Sequence, residues 1–248
     1  MNNAPYPVIE IAETSSTNDY IRQLNANEPL AEGTTVSAGF QLSGRGQVGN
    51  SWESEAEKNL LFSTLLFPTG IKITEQFILS QLVAVSLQEA LENYIAPVTI
   101  KWPNDIYYGD KKLAGILIEN DLCAAEMSLS IIGIGVNVNQ SRFYSDAPNP
   151  VSLLQLLGVE IDRQILLTDY LRQLSANYSQ LKNGGADELR KRYYAALFRR
   201  EGFFPFRDNA GLFSARIEEV DTSGYLHLVT EGGERRKYFF KEVSFVIC

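Results

Sequence analysis

Residues 44–67 read GRGQVGNSWESEAEKNLLFSTLLF, and the letters after the first six decide the fold. Those six match GxGxxG. A dinucleotide-binding unit carries that motif after a strand and at the start of a helix, with an acidic residue about 20 positions on. GTTVSAGF at 33–40 reads as a strand, so half of the requirement is met. The other half is not. Residues 41–58 are polar without helical periodicity, and NLLFSTLLF at 59–67 then returns directly as an apolar strand. No helix N-terminus is there to meet a pyrophosphate, and no Gly-Lys-Ser/Thr comes after to make a Walker loop. NAD is disfavoured on this reading, and the glycines belong to a loop between two strands.

To either side the pattern stays that of strands joined by hairpins, with helices between some of them. YPVIEIAE at 6–13 alternates as a strand. Ser16 and Asp19 are spaced as a capping box, with Asp in place of Glu or Gln, opening a helix over 18–27. Between Thr74 and Tyr94, apolar residues at 78, 82, 85, 87 and 91 give a long helix with one wide apolar face. VTIKW at 98–102 is a strand, IYYGDKKLAGILIEN at 106–120 is two strands around a Gly-Asp turn, and MSLSIIGIGVNVN at 127–139 pairs back. Residues 141–150 are loop, with Pro148 and Pro150. From 152 to 198 the chain is helical in pieces, broken at Gly158 and at Gly184-Gly185. Past Gly202 come FFPFRD, LFSARIEEVD, YLHLVTEG, RKYFF and EVSFVI, short strands with Gly turns. The expectation is an α+β domain over 1–200, with a mixed or antiparallel sheet and packed helices, and a small closed β-barrel over 201–248.

Composition narrows the chemistry. The 248 residues carry a net charge of −8, against nucleic acid as a partner, and 45% hydrophobic residues, ample for a core. Arg235, Arg236 and Lys237 are read as a solvated strand end. Cys123 and Cys248 are too few for a disulfide framework, no apolar run is long enough to span a membrane, and the N-terminus lacks a signal-peptide pattern. These features read as a cytoplasmic, reduced protein. His227 is the single histidine and sits in an alternating strand, facing outward. Ser-His-Asp and Cys-His catalysis and most zinc sites are thereby set aside.

There remains chemistry by Lys, Arg, Asp, Asn and backbone amides. Gln41, Arg45, Gln47 and Asn50 supply directional donors around the glycines, and Trp52 supplies a stacking face. Gly44 and Gly46 let the backbone at Arg45 approach a ligand closely. Such a loop suits closure over an anion, with Arg45 clamping phosphate or carboxylate; the alternative is a surface loop serving nothing. In KWPND at 101–105, Pro103 stops the strand and leaves Asn104 and Asp105 at its mouth. Lys101 and Asp105 form either a structural ion pair or an address for phosphate and magnesium. Lys111 and Lys112 lie at a hairpin turn, where lysines are often solvated, but the second stands where solvent gives way to core. Asn137 and Asn139 share a side of an apolar strand, either to satisfy neighbouring backbone or to address a ligand.

STN at 16–18, GRGQxGNxW at 44–52, KWPND at 101–105, KLAGIL at 112–117 and GIGVNVN at 133–139 occur in this order. Each is weak alone. Together they make the chain resemble the biotin–protein ligases (biotin–[acetyl-CoA-carboxylase] ligases) over residues 8–140, and the C-terminal strands resemble that family's SH3-like domain. The resemblance implies a catalytic domain like those of class II aminoacyl-tRNA synthetases. Its substrates would be biotin and ATP with Mg²⁺, giving biotinyl-5′-AMP and pyrophosphate. The biotinyl group would then pass to a lysine of a biotin carboxyl carrier protein or domain of acetyl-CoA carboxylase or a related carboxylase.

The same resemblance implies roles. Ser16, Thr17 and Asn18 hold the ureido ring of biotin, and Gln41 and Gly115 are further biotin contacts. Arg45, Gly46 and Gln47 close over biotin and the adenylate. Lys112, chosen over Lys111 because it directly precedes Leu-Ala-Gly, lies between the biotin carboxylate and the α-phosphate; with Arg45 it is catalytic. Asn50, Trp52, Lys101, Asn104, Asp105 and Asn137 lie near ATP, and Asp105 is the candidate metal ligand. Three departures stand out. Some members have arginines where this chain has Gln47, Val48 and Asn50, so the loop carries fewer charges. Lys241 stands where a glycine is common. The strand beginning near residue 8 leaves no room for the helix-turn-helix of the repressor members, which implies a ligase alone. The alternatives are a lipoate or octanoate ligase or transferase of the same fold, and a non-catalytic biotin-binding protein.

Overall fold

The computed structural model describes residues 4–47, 50–123, 126–145 and 149–247. Val48, Pro148 and Cys248 lie outside them. Seven strands make the main sheet: β1 (Val8–Thr14), β2 (Thr35–Gln41), β3 (Leu60–Leu66), β4 (Thr99–Lys101), β5 (Asp105–Tyr108), β6 (Lys111–Cys123) and β7 (Glu126–Val136). Their order is β1-β2-β3-β7-β6-β5-β4. β1 and β2 pair in parallel, through the crossover helix α1 (Thr17–Asn27), and every other neighbour is antiparallel. The sheet is therefore mixed, and no helix starts at the glycines of 44–46.

Strand alternation sorts side chains onto two faces. Val36, Leu65 and Ile131 pack with Ile21 of α1 on one face. Leu60, Phe62, Leu66, Ile132, Ile134 and Val136 pack with α2 (Phe77–Leu91) on the other, where α4 (Arg163–Lys182) and α5 (Ala186–Ala195) form a further layer. α2 is buried all round rather than on one wide face: Gln81, Ser86 and Gln88 are inside together with its apolar residues. The reason is that sheet, α4 and α5 enclose it, and its polar groups find partners there, Ser86 donating to Leu82 O and Asn177 to Ser86.

The capping box expected at α1 does not form. Ser16 is the N-cap residue but makes no side-chain cap hydrogen bond. The Thr17 amide instead donates to Gln41 Oε1 at 2.8 Å, and Asp19 is drawn off by Arg45 at 2.7 Å. A complete box does form at α3 (Leu153–Leu157), between Ser152 and Gln155.

Beyond Gly202 lies a second sheet of five antiparallel strands, β8 (Phe204–Asp208), β9 (Gly211–Val220), β10 (Leu226–Thr230), β11 (Arg235–Tyr238) and β12 (Ser244–Phe245), in the order β11-β10-β9-β8-β12. Its buried Phe206, Ala215, Ile217, Leu226 and Leu228 continue the main core without a gap. Trp102 fastens the two sheets: its indole N–H donates to Gly224 O at 3.0 Å, and its ring packs on Phe240. The basic run is a solvated strand end, as expected, with Arg235 and Lys237 exposed, and it pairs locally: Arg235 with Glu218, Arg236 with Asp208 and Glu234, and Lys237 with Asp221. His227 is half-buried against Asp221 at 2.9 Å. Hydrogen bonds from His227 and Lys237 outweigh the burial that would raise the Asp221 carboxyl and hold it down at about 2. Among the described residues, no helix is long and apolar enough to cross a membrane, and Cys123 is exposed and free.

Candidate active-site cleft

A cleft of about 520 Å³ opens where α1, the 44–52 loop, the β4–β6 strands and the end of the second sheet meet. Its floor is made of glycine. Gly115 of β6 pairs with Gly135 of β7, and Gly133 pairs with Leu117. A Cβ on Gly135 would stand 2.4 Å from Trp52 Cε2, and one on Gly115 would stand 2.9 Å from Trp52 Cζ3. The Trp52 indole therefore lies directly on main chain. A Cβ on Gly133 would strike Asn18 Oδ1 at 2.4 Å, so that strand position is reserved for the start of α1.

The inner wall is Ser16, Thr17 and Asn18, which are 4%, 3% and 3% exposed. Thr17 donates its hydroxyl to Gln41 Oε1 at 3.1 Å, so Gln41 braces the wall from β2. The Ser63 hydroxyl of β3 donates within reach of Thr17 Oγ1 (2.7 Å) and Asn18 Oδ1 (2.6 Å). Asn18 Nδ2 is left buried with no acceptor. A buried amide donor without a partner costs about 1–3 kcal/mol, which an incoming carbonyl would recover.

The opposite wall is charged. Asp105 lies between two lysines, Lys112 Nζ at 2.6 Å from Oδ1 and Lys101 Nζ at 4.0 Å from Oδ2. Lys101 is boxed by the rings of Tyr107 (5.1 Å) and Phe245 (5.3 Å). Burial, seconded by the like charges of Lys112 and Arg199, lowers its ammonium against the pull of Asp105. Main-chain bonds fix Lys112: its amide donates to Asn149 O, and its carbonyl accepts from Val151 N and Asn137 Nδ2. The Asn104 side chain donates to Ile116 O, tying the turn after Pro103 to β6.

Residues 44–47 and 50–52 run as two short paired arms over the floor. Arg45 and Ser51 form a bridge, Gly46 N donates to Asn50 O, and Trp52 N donates to Gly44 O. Arg45, 42% exposed, pairs with Asp19 at 2.7 Å and Glu119 at 3.2 Å. Its charge is thus held at the rim by two carboxylates.

Of the residues to which the sequence resemblance gives roles, all but Asn137 line this one cleft. Asn137 lies behind Lys112, past the end of β7, with its Oδ1 buried and unpartnered. Asn139 is farther still, satisfied by Ile161 N and O at 2.9 and 2.8 Å, and so serves the backbone.

A model of the biotin/lipoate A/B protein ligase family matches residues 10–137, the span that holds the floor, both walls and the hairpin. The chain belongs to that family. It is 31% identical over 230 residues to the bifunctional ligase/repressor BirA of Bacillus subtilis, covering 90% of this chain and 70% of that one. It is 29% identical over 233 residues to the biotin–[acetyl-CoA-carboxylase] ligase of Paracoccus denitrificans, covering 91% and 95%. Among solved structures, biotin protein ligase from Aquifex aeolicus in complex with biotin and ATP superposes with a TM-score of 0.79 at 27% identity, over 96% of this chain and 97% of that one.

For a biotin/lipoate ligase the residues that sequence reasoning misses are as telling as those it finds. Gly133 and Gly135 lie inside GIGVNVN, and their period of two on a strand, facing Gly115, is the one signal that marks them as floor. Lys241, Val243, Ser244 and Phe245 close the outer wall from the second sheet. The lysine-for-glycine departure at 241 points there, since Lys241 holds φ +69°. The donor set does not fit a resident metal: Asp105 is the sole carboxylate lining the cleft among the described residues, and Lys112 already neutralises it. No group of three or more metal-ligating side chains occurs among the described residues.

Proposed function

We propose that the protein is a biotin–protein ligase. It activates biotin with ATP to biotinyl-5′-AMP and pyrophosphate, then transfers the biotinyl group to a lysine of a biotin carboxyl carrier protein or domain, in the cytoplasm. The observation that carries biotin rather than lipoate is the inner wall. A buried amide nitrogen lacking an acceptor, Asn18 Nδ2, stands beside the hydroxyls of Ser16 and Thr17. A ureido ring offers a carbonyl and two N–H groups to such a wall, whereas a dithiolane offers only weak sulfur acceptors.

The carboxylate at the other end of biotin then reaches toward Lys112. One of its oxygens attacks the α-phosphorus of ATP, the bond from that phosphorus to the bridging oxygen breaks, and pyrophosphate leaves with the electron pair. Two anions must approach, so the step needs fixed cations rather than a general base. Lys112 meets both anions once it exchanges Asp105 for them, Lys101 supports it, and Asp105 would then be the carboxylate available to Mg²⁺ arriving with ATP. Arg45, released from Asp19 and Glu119, closes the hairpin with Gly46, Gln47 and Asn50 over the adenylate, and Trp52 offers its face. In the second step the carrier amine attacks the acyl carbon and AMP departs.

Residues 1–200 form the catalytic domain on this reading. Residues 201–248 form an SH3-like barrel whose last strand completes the cleft. With Gln47 and Asn50 in place of arginines, the hairpin retains the adenylate less firmly than in arginine-rich members.

Incubation with ATP, Mg²⁺ and biotin, followed by mass spectrometry, tests the assignment: biotinyl-adenylate is expected, and lipoyl-adenylate formed in its place from lipoate overturns it. Lys112→Ala should lower adenylate formation by about 10²–10³-fold while calorimetry still detects biotin binding.

A further inference from the structure

Ser63 lies behind the inner wall rather than in it. It is wholly buried on β3, and its partner on the neighbouring strand is Gly133 of β7. The start of α1 rests on this pair. A Cβ on Gly133 would stand 2.4 Å from Asn18 Oδ1 and 3.2 Å from Asn18 Nδ2. Glycine thus makes room for the Asn18 amide, and Ser63 decides which way it turns. Rotation about the last bond of an asparagine side chain is soft, so the amide needs a fixed partner to keep one orientation. Asn18 Oδ1 is 2.6 Å from Ser63 Oγ. A carboxamide oxygen can only accept, so the proton between them is that of Ser63. Nδ2 is thereby left in the cleft-lining residue with no protein acceptor. Gln41 is turned alike: its Oε1 accepts from Thr17 N at 2.8 Å, and its Nε2 lies on the side of Gly44, where a Cβ would be 3.5 Å away.

We infer that Ser63 is a positioning residue for substrate recognition: by donating to Asn18 Oδ1 it keeps the amide nitrogen free for the ligand, so that this point of the wall takes a carbonyl and rejects an N–H. The inference deepens the ligase reading above and rests on it. Without the hydroxyl the amide can turn over, present its oxygen and accept from a ligand donor instead. The selectivity comes from a buried donor that goes unpaired against the wrong ligand, the arrangement that separates close analogues most sharply.

The test is calorimetry with biotin and with 2-iminobiotin, whose ring carries an imino N–H in place of the carbonyl oxygen. Wild-type protein should prefer biotin by about tenfold or more, the factor that one buried hydrogen bond carries. Ser63→Ala should lose about tenfold in affinity for biotin and little for the analogue, so that the preference shrinks by that factor. Ser63→Thr, which keeps the hydroxyl, should retain the preference. In an Asn18→Ala background, Ser63→Ala should cost nothing further, because its effect passes through that amide. In ATP–pyrophosphate exchange, the KM for biotin should rise in Ser63→Ala while the KM for ATP holds. An unchanged preference in a folded Ser63→Ala protein overturns the inference, as do losses that add in full in the double variant, the mark of a merely structural role. If the wild-type protein binds no biotin at all, the ligase reading fails instead, so the two failures are distinct.

Discussion

The two faces of strands β3, β6 and β7 are built from alternate residues of the same strands, yet at the cleft end they differ in chemistry. On the α2 face, Ala114, Ile116, Ile132, Ile134 and Val136 fill space to exclusion. On the α1 face, one residue along in each case, stand Gly115, Gly133 and Gly135, with Ser63 in place of an aliphatic residue. The first face supplies stability through packing. The second gives up side chains so that an indole, an amide and a ligand can lie on main chain. A period of two lets one strand do both, so mutations a single position apart should fail in different assays.

The largest effect should come from Gly135→Val. The backbone there is ordinary strand, so the variant should fold, but its Cβ lies where Trp52 rests. Adenylate formation should fall on the order of 10²-fold, as expected when reacting groups are displaced by about an ångström, with the melting temperature nearly kept. A variant that unfolds while its folded fraction stays active would erase the distinction between faces. Ile132→Ala is the mirror experiment: fully buried against α2, it should lose about 2–4 kcal/mol in denaturant unfolding, with turnover per folded molecule intact.

Two unpartnered polar atoms sharpen the contrast further. Asn18→Ala should weaken biotin binding about tenfold by calorimetry, since one buried hydrogen bond to ligand is lost; unaltered affinity would remove the ureido assignment. Tyr170 buries its hydroxyl without a partner beside Phe62 on the other face, and burial raises it far above the ordinary phenol range. Tyr170→Phe should leave stability within about 0.5 kcal/mol of wild type or improve it, because no bond is broken. A clear loss would mean that this face, too, carries polar work.

Local signals make much of this molecule legible. The polar run after the glycines, the helical spacing from residue 78 and the shift past Gly202 each rest on neighbours in sequence, and each element appears there. The hidden features depend on distant partners. Asp19 reads as a cap because Ser16 is near in sequence, but Arg45 reaches it from 26 positions away. Asn137 and Asn139 look alike, two residues apart, and only the packing of Ile161 separates a backbone brace from a residue behind the central lysine. The outer wall is hidden for the same reason: nothing near Lys101 announces that a strand about 140 residues later will stand against it.

The placement of the two tryptophans gives the protein a built-in optical gauge. Trp102 is buried, its N–H committed to Gly224, and borders the same cleft from the junction of the two sheets. Trp52 lies on the glycine floor with its N–H unpaired. Since the sequence holds no third indole, a Trp102→Phe variant leaves Trp52 as the sole indole, and a change in its intrinsic emission on adding biotin or ATP reports on the glycine floor without a label.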